Sequence, residues 1–204
     1  MADVPLDLER ERWHLGSELA LWVFNLPRLP SETVQLGLKR HTLSVLSLVS
    51  FFARVKRIEW ITESAGEDAA KLIPNRDPDH ERVVSIFERL SDVVEMSMCL
   101  DLHCVSSTGV EFVLGQGAHL YLTVCAGEDN VSLQVELSLD ADIYSPRTVG
   151  RQPANETLAS LNNPRLASFL RGVRERMGGR VFTIVAPSYE DLVNEDGFVV
   201  SEAR

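Results

Sequence analysis

Cysteine is scarce in this chain and shows no pairing pattern. Cys99, Cys104 and Cys125 are the three present, with no CxxC spacing among them. An odd number of isolated thiols argues against a disulfide framework and fits reduced side chains in a cytoplasm. Long apolar runs are missing as well. A membrane-spanning helix needs about 20 apolar residues, and the most apolar stretch, TLSVLSLVSFFARVKR from Thr42 to Arg57, is flanked by Lys39, Arg40 and His41 and interrupted by Arg54. The opening MADVPLDLERERWH interleaves acids and bases with no apolar core, so no secretory signal is expected and the cytoplasm is the expected location. Glycine-rich phosphate loops, HExxH, nucleophile elbows and paired metal-ligand spacings do not occur, so no cofactor and no metal is expected.

Positive charge is the other deficit. Twenty Lys and Arg face thirty Asp and Glu, giving a formal charge of −10 and a pI near 5.0. Attraction to nucleic acid or an anionic bilayer is therefore disfavoured, and a basic protein is the favoured macromolecular partner. The oligomeric state is left unassigned.

What is present is an ordinary globular composition, 45% hydrophobic and 25% charged over 204 residues. That length suits one α+β domain able to bury well over half of its unfolded surface. In Thr42–Arg57 the serines Ser44, Ser47 and Ser50 recur every third residue, which predicts a buried helix with a small-residue side open to close approach and with Arg54, Lys56 and Arg57 at its C-terminus. Leu8, Leu15, Leu19, Trp22 and Leu26 also follow helical spacing, ended by Pro27 and Pro30, so residues 1–61 read as an N-terminal helical hairpin. The polar, proline-containing residues 62–80 read as an exposed linker.

Residues 81–204 read as a sheet-and-helix part. A helix is expected from Glu81, and then the period changes to two. Met96, Met98, Leu100, Leu102 and Cys104 alternate with polar neighbours, as do Val110 to Leu114, Leu120 to Val124 and Val131 to Leu139. With SSTG, GQG and AGEDN as turns, these form an antiparallel meander of four or more strands, which must bury its apolar face on helices. Asn155 is a candidate cap for a short helical turn. Asn163 as N-cap and Pro164 at the first position open a helix closed by Gly178 and Gly179, and RVFTIVA follows as a strand.

The candidate site is the polar face of that meander. Alternation places Asp101, His103, His119, Tyr121, Glu136 and Ser138 on it, and matching apolar faces sets His119 beside Ser138, with Asp101 across Gly115. Asp101, His119 and Ser138 are the residue types of a nucleophilic triad, so a small-molecule hydrolase is the alternative function. Against it, the inferred pairing leaves Asp101 two strands from His119, about 10 Å at ordinary strand spacing, and a mid-strand serine lacks an activating turn. A metal site from Cys99, His103 and His119 has no specific spacing, and isolated cysteines are commonly small core hydrophobes. Arg165, Arg171, Arg174 and Arg176 line one helix side, where a solvated surface with local acid partners is the ordinary reading.

The reading that needs no motif is a macromolecule-binding module, for example an inhibitor or immunity-type partner of a basic protein. Its contact residues would be Tyr121, Glu136, His119, Asp101 and His103. Acid pairs at Glu67/Asp68, Glu128/Asp129, Glu190/Asp191 and Glu195/Asp196 would steer a cationic partner.

Overall fold

Alternation along the middle of the chain becomes a sheet whose registers follow the apolar pattern. The computed structural model describes residues 15–28, 32–64, 66–74, 80–126, 131–147 and 155–200. Strands β4 (Val93–Val105), β5 (Glu111–Ala126) and β6 (Val131–Ala141) pair antiparallel, with Leu120 between Met98 and Leu137. GQG is not a turn between strands. One residue of β4, Asp101, faces Gly115 to Gly117 within a continuous β5, where Gln116 takes a φ of 56°. A Cβ on Gly117 would lie 2.4 Å from Leu102 Cδ1, so the bulge closes tightly against β4.

The N-terminal helical hairpin is not formed among the described residues. Leu15–Leu26 is a strand, β1, and only Val34–Val49 is helical, α1; Leu8 lies outside the described residues. The helical spacing of Leu15, Leu19, Trp22 and Leu26 is a by-product of a nearly continuous apolar run. Ala20, Trp22, Phe24 and Leu26 share one buried face, while on the other Leu19 and Leu21 are half-buried and Val23 is buried as well. Such a run suits a strand flanked on both sides, and β1 lies between β6 and β7 (Arg180–Val185).

The stretch Thr42–Arg57 divides in two. Its first half completes α1, which Thr33 caps by accepting the Leu36 N–H at 3.3 Å. A turn at residues 50–52 leads into strand β2 (Ala53–Thr62), so Arg54, Lys56 and Arg57 are strand residues rather than a helix terminus. Phe52 sits in the turn, fully buried, with its ring stacked 5.5 Å from Phe169 and tilted 5.8 Å from Tyr144. The serines mark the outer side of α1, where Ser44 and Ser47 donate back to the Arg40 and Leu43 carbonyls. Close approach is provided elsewhere: a Cβ on Gly172 would meet Leu48 at 2.6 Å, where α1 packs on α3.

The expected linker contains strand β3 (Gly66–Leu72), paired to β2, followed by helix α2 (His80–Arg89). Helix α3 runs from Glu156 to Met177, so Pro164 lies inside it rather than at its start. Asn155 occupies the N-cap position without a side-chain capping bond, its Nδ2 donating instead to the Asp142 carbonyl at 3.2 Å, and Gly178 ends the helix at a φ of 69°. Asn163 instead ties α3 to the C-terminal hairpin of β8 (Val193–Asn194) and β9 (Gly197–Phe198), accepting the Phe198 N–H and donating to its carbonyl.

The described residues thus give a seven-stranded antiparallel sheet in the order β3-β2-β4-β5-β6-β1-β7, with α1, α2 and α3 packed with it in an α+β arrangement. One face, built from Trp22, Trp60, Leu100, Leu120 and Leu137, is sealed. The other carries Ser97, Glu95, His119, Tyr121, Thr123, Gln134 and Glu136, all half-buried. None of the described helices is long and apolar enough to cross a membrane.

Candidate functional site: the open face of the sheet

Three of the five expected contact residues adjoin. Tyr121 on β5 is directly opposite Glu136 on β6, and His119 is two residues away on the same face, opposite Ser138. The His119 and Tyr121 rings lie 6.4 Å apart and 18° from parallel. His119 Nε2 is 3.7 Å from Asp140 Oδ2, so its nearby carboxylate is Asp140.

Tyr121 sits in a negative surrounding. Partial burial raises its phenol above the usual value, and the charges of Glu95, Glu136 and Asp140 push it further the same way. Burial also raises the Glu95 carboxyl. Positive charge lies toward the sheet edge, where Glu59 pairs with Lys71 at 2.9 Å and Arg57 at 3.1 Å. The hydrogen bond from Lys71 is the main reason that the Glu59 carboxyl is held low. The β2–β3 margin of the face is internally neutralised.

Asp101 and His103 sit apart from this group. The pairing of β4 with β5 brings Cys99, not Asp101, opposite His119. Asp101 is buried at 4% exposure, pairs with Arg54 at 2.8 Å and accepts the Gln116 N–H at 3.0 Å. It holds the β5 bulge instead of standing solvated. His103 lines an open hollow of about 410 Å³ with Phe51, Phe112, Val113 and Arg165. Glu95 and Asp140, not nominated from sequence, join Tyr121 because they share the parity of Ser97 and Ser138.

For catalysis the geometry offers little. Cys99 faces His119, but burial raises its thiol, whereas a nucleophilic cysteine needs a lowered one. Ser138 lies mid-strand, where backbone N–H groups serve the ladder instead of an oxyanion. Cys104 is fully buried, its thiol pushed up to about 12 by desolvation and 4.0 Å from the Tyr144 hydroxyl. Among the described residues no group of three His, Cys, Asp or Glu side chains is placed to hold a metal ion.

Two acid clusters of the C-terminal part are already engaged. Glu195 and Asp196 both pair with Arg174, and Asp191 lies 3.4 Å from Arg147. Arg165 pairs with Glu111 at 2.6 Å, so that part of the basic side of α3 has a local acid partner. The side chains of Glu67/Asp68 and Glu128/Asp129 lie outside the described residues.

Fold and site define an α+β chain with a helix-covered antiparallel sheet whose opposite face is polar and half-buried among the described residues. Comparison with protein-family models, curated proteins and solved structures found no match.

Proposed function

We propose that this chain is a macromolecule-binding module, of the inhibitor or immunity type, that receives a basic protein on the open face of its sheet. The observation that carries the reading is the set of Glu95, Glu136 and Asp140 around the half-buried ring of Tyr121. An aromatic side chain with fixed surroundings supplies contact area at low entropic cost, and carboxylates around it select a cationic partner. The face is built on strands and not on loops, so the contact geometry is set before the partner arrives.

The test is co-purification from the native host, followed by binding measurements on the recovered partner at rising salt. Charge-steered association weakens as ionic strength rises. A Tyr121→Ala/Glu136→Ala double variant should keep its melting temperature and lose affinity at least about tenfold, as expected when a central aromatic and an interfacial charge are removed together. A folded double variant that binds the partner unchanged would place the contact elsewhere.

A further inference from the structure

The two ends of the sheet are finished differently. β3 and β7 are its outermost strands, and among the described residues each is paired along one side only. Natural edges are commonly blunted with charge, because a free row of N–H and C=O groups invites another strand. β3, GEDAAKL, follows that rule with Glu67, Asp68 and Lys71 in its sequence. β7, RVFTIV, has only Arg180, and Val181, Phe182 and Val185 are 37%, 63% and 38% exposed. Its register with β1 passes from Thr183 to Val181 and leaves Phe182 as an unpaired bulge residue. The bulge at Phe182 ends the regular outer edge on one side, and Ala186, 2% exposed with its carbonyl accepting the Tyr189 N–H at 2.8 Å, ends it on the other, so the segment open to pairing is Thr183 to Val185.

We propose that this edge takes a second copy of the same chain, pairing β7 antiparallel with β7 about a two-fold axis at Ile184. Opposed residues must share a face, which requires an axis through a residue rather than between two. At Ile184 that condition sets Thr183 against Val185 of the second copy, with Phe182 flanking the pair. Thr183 and Val185 are β-branched, uncharged mates, the favourable kind of cross-strand pair, and no charge meets a like charge. The segment is thus complementary to itself, whereas a cationic partner finds no carboxylate within it. An axis perpendicular to the sheet keeps both open faces on the same side, so the dimer would present two copies of the Tyr121 surface side by side.

This dimer is independent of the proposed partner, and salt separates the two. Chains of formal charge −10 repel one another at a distance, so self-association should strengthen with salt where binding of a basic protein weakens. Static light scattering on the full chain, from about 5 to about 200 µM, brackets the range of weak interfaces. The expected result is a mass rising toward twofold with concentration, and more readily at high salt. Phe182→Lys/Val185→Lys should hold the mass at one chain, while Ala69→Lys on β3 should leave the wild-type behaviour intact.

A second readout needs no variant: hydrogen exchange at the β7 amides should slow as the wild-type concentration rises. A wild-type monomer across the whole range would overturn the proposal. So would a dimer that survives the β7 substitutions, one lost in Ala69→Lys, or β7 protection that is high and independent of concentration, which would mean that the chain itself covers the edge.

Discussion

Alternate residues of the same strands make two surfaces that share a backbone and little else. Along β6, Leu133, Val135, Leu137 and Leu139 are at most 1% exposed, while Ser132, Gln134 and Glu136 between them remain partly open. The covered face holds the aromatic side chains that hold the fold together, including Trp22 and Trp60. The open face holds charges that a core would not tolerate without partners. Packing and polar surface are therefore divided by parity within each strand, and a substitution two residues along should have the same kind of effect where its immediate neighbour does not.

The strongest challenge to that division is Phe52→Ala. Phe52 is fully buried between the rings of Phe169 and Tyr144, and its truncation should cost about 3–5 kcal/mol in urea denaturation. A loss below about 0.5 kcal/mol, the size of an ordinary surface substitution, would remove Phe52 from the core.

Arg54→Ala tests an exception on the open side, because it leaves the buried carboxylate of Asp101 without its 2.8 Å partner. Arg54 itself is half exposed, so water takes over part of its role, and the expected loss is about 1–2 kcal/mol. Asp101→Asn keeps an acceptor for the Gln116 N–H and loses the charge, so if it costs much less than Arg54→Ala, the Gln116 bond of the bulge and not the ion pair holds this site.

The smallest effect belongs to pH. His41 is completely buried in α1, its Nε2–H donating to the Pro27 carbonyl at 2.8 Å, while Nδ1 has no partner among the described residues. Desolvation lowers its pKa in the folded chain, with the Pro27 bond opposing. The unfolded chain then binds the proton more readily. Stability is complete above the ordinary histidine value of about 6.5 and declines as pH falls below it, until the folded-state value is passed. Denaturation midpoints between pH 7.5 and 5.5 should show this decline, flattened in His41→Gln. An unchanged slope in that variant would assign the decline to other groups.

Much of the sheet was legible because period two is a direct consequence of strand geometry, and β4, β5 and β6 obey it over their lengths. The same rule grouped His119, Tyr121 and Glu136. β1 was hidden because a strand flanked on both sides, with apolar residues toward each face, loses the alternation that distinguishes it from a helix. The bulge at Gly115–Gly117 was read as a turn because Gly-Gln-Gly has turn composition, and only the unbroken pairing on either side of it shows otherwise. Pro164 misled for a similar reason: it suits a first helical position, yet α3 continues through it. Distances across strands, including the Asp140 beside His119, depend on register, and a one-residue shift or a bulge changes every such neighbour.

The place of β1 between β6 and β7 also governs how the molecule is made. Trp22 and Phe24 leave the ribosome well before Leu137 and Val135, opposite which they will lie, and before Ile184 and Val181 on the other side. Such long sequence separations give a high contact order, and folding driven by them is slow. Until α3 and β7 have been synthesised, an aromatic strand meant for the middle of the sheet remains only partly paired, which is the interval in which this chain is most exposed to misassembly and to chaperones.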